Sequence, residues 1–304
     1  MAGIDFARAY FEEAGLAMLE AFPLERIAAG LAGHGSECFG FDDEISRDHD
    51  FSVGFALWLT EEDDKAFGFQ LGRAYDRMQK EHPPRDFGAK ESRFGEMEHG
   101  VCLIGDFYRK HIGFPGVPAH WQEWQSIPDY ALAEATNGAV FRDGPGEFSR
   151  IREGLLCPPE EIRLKRLSAR CALMAQSGQY NFDRCHRHGE EGAAQLALTE
   201  FVREAAGAVF LLNRRWAPYY KWVFRAMRGL PRLNELADSL EFLLRGEGDH
   251  ALKLEVVELI AGAVISELHR QDLSDAEGSY LEAHAFSVRD HIPNRELQAL
   301  HPMA

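Results

Sequence analysis

The sequence predicts an α/β (α+β) N-terminal domain on a mixed sheet, residues 1–157, followed by an all-α helical-bundle domain, residues 158–304. Three observations predict it. Short apolar runs alternate with helical patterns in the first half, helical periodicity dominates the second, and Pro158-Pro159 marks a boundary between them. At 304 residues and 45% hydrophobic composition, the chain is long enough to bury two ordinary cores.

From Asp5 to Phe22, the residues Phe6, Tyr10, Ala14, Met18 and Phe22 recur at helical spacing, and Pro23 stops the helix. Ile27 to Ser36 is rich in alanine and glycine and reads as a short strand and a tight turn at Gly33-His34-Gly35-Ser36. After an acidic loop, His49 to Leu59 reads as an interior strand, and Thr60 opens a helix through about Glu81, with Asp63 completing a loose capping box. Pro83 to Gly100 is polar and irregular. Val101 to Ile104 then forms another short apolar run, with Phe107 to Ile112 helical, so strand, helix and strand build an α/β layer. Gly138 to Asp143 and Glu147 to Arg150 flank Gly144-Pro145-Gly146 as a hairpin or a loop crossing. Beyond Pro159, helical periodicity runs through Glu160–Met174, Gly192–Asn213, Tyr219–Met227, Leu233–Leu244 and His250–His269.

No run approaches the roughly 20 apolar residues of a membrane span, and no basic segment with an apolar run opens the chain, so a soluble cytoplasmic protein is expected. Five cysteines are widely spaced without a CxxC pair, which points to reduced thiols. A formal charge of −16 argues against a protein that coats long nucleic acid, whose binding rests on neutralising phosphates. Cations nevertheless cluster from Arg214 to Arg232 while acids crowd Glu37 to Asp50. That contrast suits a metal site facing a phosphate clamp.

The chemistry concentrates in Gly35-Ser36 and Asp48-His49-Asp50. Side chains two apart on a strand share a face, so Asp48 and Asp50 can reach one metal cluster. Magnesium, or manganese in its place, takes hard oxygen ligands, commonly one or two carboxylates together with substrate phosphates. The Gly-Ser turn can offer backbone N–H groups and a hydroxyl to a phosphate. The plain alternative is that Asp42, Asp43, Glu44, Asp48 and Asp50 form a solvated acidic loop. A second constellation, Pro218-Tyr219-Tyr220-Lys221-Trp222 with Arg225 and Arg228, pairs aromatics with cations. Trp216, Tyr219, Trp222 and Phe224 are expected in the core, whereas Tyr220, Lys221 and Arg225 are candidates for nucleotide binding, lysine as a point charge and arginine as a fork.

A glycine-serine pair followed by two acids on a neighbouring strand resembles the signature of the DNA polymerase beta-like nucleotidyltransferase superfamily, carried here by Gly35, Ser36, Asp48 and Asp50. With Thr136 to Asp143 and Pro218 to Trp222, the chain also resembles a bacterial nucleotidyltransferase-like family of unassigned function with a C-terminal helical domain. The resemblance implies a nucleotidyltransferase-like N-terminal domain, divalent metal on Asp48 and Asp50, and a nucleoside triphosphate, ATP by expectation, as substrate. It implies transfer of a nucleoside monophosphate to a hydroxyl-type acceptor of unknown identity, with release of pyrophosphate. It also implies a third carboxylate on a later strand. Asp106 and Glu98 are candidates, with Cys102 where an acid is expected and Asp106 equally suited to capping a helix. A catalytically inactive nucleotide-binding or regulatory protein on the same fold is the alternative, and a scaffold docking another macromolecule is a third reading.

Cys185-His186-Arg187-His188 lacks a second ligand pair at zinc-finger spacing and reads as a surface turn. His34 and His49 flank the candidate site without an assigned role.

Overall fold

Residues 3–43, 54–84 and 99–303 are described by the computed structural model. They fall into two units, Met1–Leu156 and Cys157–Ala304.

In the first unit the opening stripe forms α1 (Gly3–Tyr10), a π-helical turn (Phe11–Gly15) and α2 (Leu16–Leu19). The helix stops three residues before Phe22, and the 3₁₀ turn Leu24–Arg26 leads into β1 (Ala28–Leu31). The turn after β1 enters α3 (Ser36–Phe39). The chain returns as β2 (Ala56–Leu59), all four residues buried. Thr60 then caps the following helix: its hydroxyl oxygen accepts from the Asp63 N–H and its O–H donates to the Asp63 carboxylate at 2.7 Å. That helix runs as α4 (Glu61–Asp63), a π-helical turn (Asp64–Gly68) and α5 (Phe69–Glu81). Next come β3 (Gly100–Leu103), α6 (Ile104–Ile112), α7 (Trp121–Ser126), α8 (Asp129–Thr136), β4 (Ala139–Asp143) and α9 (Glu147–Leu156).

Among the described residues four strands form one mixed sheet in the order β3-β2-β1-β4. β1 is antiparallel to both β2 and β4, while β2 and β3 run parallel. Alternation along the strands sends Ala29, Leu57 and Leu59 to one face, where they pack with Tyr10, Phe11, Leu19, Leu71 and Tyr75 from the opening helix and α5. Trp58 points the other way, stacked on Phe148 of α9 at 3.9 Å and edge-on to Phe107 of α6. Each fully buried leucine here contributes about 1.5–3 kcal/mol. The sheet is therefore covered by helices on both faces, as the apolar character of β2 requires.

The segment around Gly144-Pro145-Gly146 is neither a hairpin nor a loop crossing. β4 turns directly into α9, because the Asp143 carboxylate accepts from the Gly146 and Ser149 N–H groups and satisfies donors at the helix start.

In the second unit every regular element among the described residues is helical: α10 (Glu160–Met174) continuing through a π-helical stretch (Ala175–Phe182) into α11 (Asp183–Arg187), then α12 (Glu191–Leu212), a 3₁₀ turn (Tyr220–Trp222), α13 (Val223–Met227), α14 (Leu236–Leu244), α15 (His250–Arg270), α16 (Leu281–Asp290) and α17 (Arg295–Ala299). α10 packs against α12 and α16 around Leu167, Cys171, Phe201 and Val288, all fully buried. Of the Cys185-His186-Arg187-His188 run, the first three residues end α11 and His188 lies in the exposed turn that follows, while His186 stacks on His250 at 3.7 Å. Among the described residues no helix is long and apolar enough to cross a membrane.

Candidate functional site

Strand directions decide which residues meet at each end of the sheet. Gly30 of β1 pairs with Ala56 of β2, and Leu31 pairs with Ala139 of β4. The chain thus leaves β1 towards Gly35 and Ser36 at the same end at which it enters β2 and β4. β3 also begins there, since Gly100 pairs with Ala56.

The turn leaving β1 is held tightly. Gly33 and Gly35 adopt φ of 118° and 108°, in the region that favours glycine. Ser36 is buried, whereas His34 and Gly35 are exposed. Asn137, just beyond α8, clamps the turn: its Oδ1 accepts from the Gly33 N–H at 2.8 Å and its Nδ2 donates to the Gly33 carbonyl at 2.7 Å. The Gly138 N–H donates to the Cys38 carbonyl at 2.8 Å, and the Cys38 thiol donates to the His34 carbonyl at 3.1 Å. Arg152 of α9 holds the clamp in turn, donating to the carbonyls of Thr136, Asn137 and Gly138. Burial lowers the pKa of this guanidinium from its ordinary value, with the nearby Tyr108 and Glu153 opposing.

Of the acidic-loop residues upstream of β2, Asp42 and Asp43 are described, Asp42 partly buried and Asp43 exposed. Glu37 is buried in α3, and the Asp42 carboxylate accepts from the Gly3 N–H at 3.0 Å, at the start of α1. Asp48, Asp50 and His49 lie outside the described residues, as does Glu98. Asp106 is described and lies elsewhere. Because β3 runs parallel to β2, Asp106 follows the opposite end of the sheet from Gly35 and Ser36. It does not cap α6, whose N-cap is Leu103. It pairs with Arg109 one turn on, more than half exposed, on the wall of a cavity of about 860 Å³ that also includes Thr60 and Glu123.

Tyr220, Lys221 and Arg225 belong to the second unit, and all three are exposed. Tyr219 is 43% exposed, outside the core expected for it, and packs on Tyr220 at 4.3 Å. Trp216 is buried as expected, and the Lys221 ammonium sits 5.1 Å from the Trp222 ring centroid. Much of the surrounding cationic cluster is matched by acids of the same unit: Arg214 pairs with Glu160 at 2.8 Å, Arg228 with Asp238 at 2.8 Å and Arg232 with Glu267 at 2.7 Å. Hydrogen bonds from Arg163 and then Arg214, against the cost of burial, hold the Glu160 carboxyl down at about 2.

Sequence reasoning left out a group that the structure brings to the Gly35 end. His34, His111 of α6 and Glu134 of α8 converge, one ligand atom of each lying within 4.8 Å of the other two. Glu134 sits in Ala131-Leu132-Ala133-Glu134-Ala135-Thr136, a stretch with nothing to mark it apart from an ordinary helix. The signal that existed was Thr136-Asn137-Gly138, whose Asn137 proves to be the clamp.

A family model described as a domain of unknown function (DUF4037) matches residues 124–223, from α7 through the Tyr220–Trp222 turn. No curated protein matches the chain. Among solved structures, the chain is similar to a nucleotidyltransferase-like protein from Exiguobacterium sibiricum 255-15, with 14% identity, a TM-score of 0.35, and 93% of this chain and 89% of that chain covered.

Proposed function

We propose that this chain is a metal-dependent nucleotidyltransferase that moves a nucleoside monophosphate from a triphosphate, ATP in the first instance, to a hydroxyl-type acceptor. One observation supports the reading most directly: the Gly35-Ser36 turn leaves β1 at the end of the sheet where the neighbouring antiparallel strand β2, preceded in sequence by Asp48-His49-Asp50, begins. In this reading Asp48 and Asp50 hold magnesium or manganese, which would offset charge on the attacking and leaving oxygens. Gly35 and Ser36 contact phosphate, and Tyr220, Lys221 and Arg225 are proposed as triphosphate-binding groups. The acceptor oxygen bonds to the α-phosphorus, the bond to the bridging oxygen breaks, and pyrophosphate leaves with that electron pair while the acceptor hydroxyl gives up its proton to solvent water.

Asp106 has no part in this proposal, because its place beyond the far end of β3 separates it from Gly35 and Ser36. The second reading is a nucleotide-binding or regulatory protein that does no chemistry and needs no third carboxylate. Calorimetric titration of ATP, GTP, CTP and UTP into the protein, with and without magnesium, tests what the two readings share. Metal-dependent binding of one nucleotide is expected, and its loss in Asp48→Asn/Asp50→Asn. Absence of binding by every nucleotide under both conditions would remove both readings. Where binding is found, pyrophosphate release on presentation of acceptor hydroxyls separates the transferase from the inactive binder.

A further inference from the structure

We propose that His34, His111 and Glu134 form a three-ligand site for a borderline divalent cation of the zinc type, independent of the aspartate pair. The ligands come from three elements: the turn after β1, the last turn of α6 and the body of α8. α6 and α8 pack against each other, which sets His111 and Glu134 side by side, and His34 reaches them from the clamped turn. His34 Nδ1 lies 3.0 Å from Glu134 Oε2, and the two imidazole rings are 4.8 Å apart between centroids.

The donor set selects the metal class. Two imidazole nitrogens and one carboxylate oxygen suit zinc and its neighbours in the first transition row, whereas magnesium and calcium require six or more oxygens, water included. A carboxylate partnering one histidine has no need of a second imidazole, while a metal uses all three groups. Tetrahedral zinc with bonds of about 2.0–2.1 Å spaces its ligand atoms about 3.3 Å apart. The His34–Glu134 spacing of 3.0 Å is already close to that, and all three ligand atoms lie within 4.8 Å of one another.

The surroundings also suit a metal. His111 and Glu134 are buried, and the Phe107 ring packs on His111 at 4.7 Å as an apolar wall. The Asn137 clamp and the Cys38 thiol hold the backbone on either side of His34. With three protein ligands, the fourth position is left to water or an exogenous ligand on the solvent side of His34, the arrangement of zinc sites that do chemistry in contrast to closed structural ones.

The test uses the full chain, stripped with a chelator and titrated with cobalt(II) while its visible absorption is followed. Intense bands of four- or five-coordinate cobalt saturating at one equivalent, removed by stoichiometric zinc and unmoved by millimolar magnesium, are the expected result. Affinity should fall by a hundredfold or more in Glu134→Gln and in His34→Ala, since loss of outer-shell partners alone costs 10- to 100-fold. His34→Ala removes a half-exposed ring and keeps the test open if a change at buried Glu134 disturbs folding. Asp48→Asn/Asp50→Asn should keep the cobalt spectrum. Three results would overturn the proposal: no cobalt bands in the wild type, bands that survive in both His34→Ala and Glu134→Gln, or bands lost in the aspartate variant.

Discussion

Truncating Asn137 to alanine removes both hydrogen bonds that join β1's exit turn to the α8–β4 connection. Each bond has a net worth of about 0.5–1.5 kcal/mol, and a buried group left without a partner costs about 1–3 kcal/mol. Gly33 is buried, but His34 and Gly35 beside it are exposed, so water can satisfy part of what is lost. The expected local cost is therefore about 2–4 kcal/mol, which multiplies the opening of the turn roughly 30-fold to several hundredfold. Hydrogen–deuterium exchange of peptides spanning 31–38 reads this directly, with peptides from α12 as the control for global effects. Exchange at Gly33 should accelerate by that factor while α12 is unchanged. Asn137→Asp keeps an acceptor for the Gly33 N–H but loses the donor to the Gly33 carbonyl, and should fall between the two. Gly33 exchange in Asn137→Ala within threefold of wild type would refute the reasoning, because the turn would then be held by something other than the clamp.

Two further predictions concern stability. Gly138 has φ of 71°, and a Cβ there would run into the Leu31 carbonyl oxygen, so Gly138→Ala should cost well over the roughly 1–3 kcal/mol of backbone strain alone and lower the thermal midpoint of the first unit by several degrees. The second follows from Lys165, which is 1% exposed and donates to the carbonyls of His301 and Pro302 at 2.8 and 2.7 Å. Burial, with Arg289 adding repulsion, pulls its pKa from 10.5 to about 8, so between those values the unfolded chain binds more protons than the folded one and stability rises with pH. The gain approaches about 3 kcal/mol at most, and the unfolding free energy of wild type relative to Lys165→Met, from urea titrations between pH 7.5 and 10, should rise by that order.

Local signals were readable where local chemistry decides structure. Thr60 and Asp63 announced a helix start, and the pair proved to be linked in both directions, with Thr60 giving and taking a hydrogen bond. The alanine–glycine run of β1 and the apolar run of β2 were readable because interior strands carry little else. Strand direction was not readable. Whether Asp106 meets Gly35 depends on β3 running parallel to β2, and no residue of Val101-Cys102-Leu103 encodes that choice. Had β3 been antiparallel, its following turn would have arrived at the Gly35 end. The cationic cluster of Arg214 to Arg232 was visible, but its counter-acids Glu160, Glu241 and Glu267 come from three other helices brought in by tertiary packing. His111 was hidden for a related reason: on a helix with a buried face it looks like any core residue, and only α8 beside it makes it a candidate ligand.

The proposed metal chemistries are separable because they differ in hardness while sharing one turn of chain. Magnesium at millimolar concentration has little claim on two imidazoles, whereas zinc in excess binds carboxylate pairs as well, since it stands near the top of the divalent affinity order. Zinc must therefore be added at one equivalent, and magnesium only afterwards, for a nucleotide titration to report on Asp48 and Asp50 alone. The shared turn then carries a thermodynamic consequence. His34 directly precedes Gly35 and Ser36, so a metal that fixes the His34 ring also restricts the backbone proposed to meet phosphate. If ordering that turn is part of the cost of nucleotide binding, zinc tightens the nucleotide, and by reciprocity the nucleotide tightens zinc by the same factor. Asn137 already supplies much of that order in the free protein, which limits the coupling to what the clamp leaves undone. Removing the clamp should therefore weaken both ligands while making each more dependent on the other.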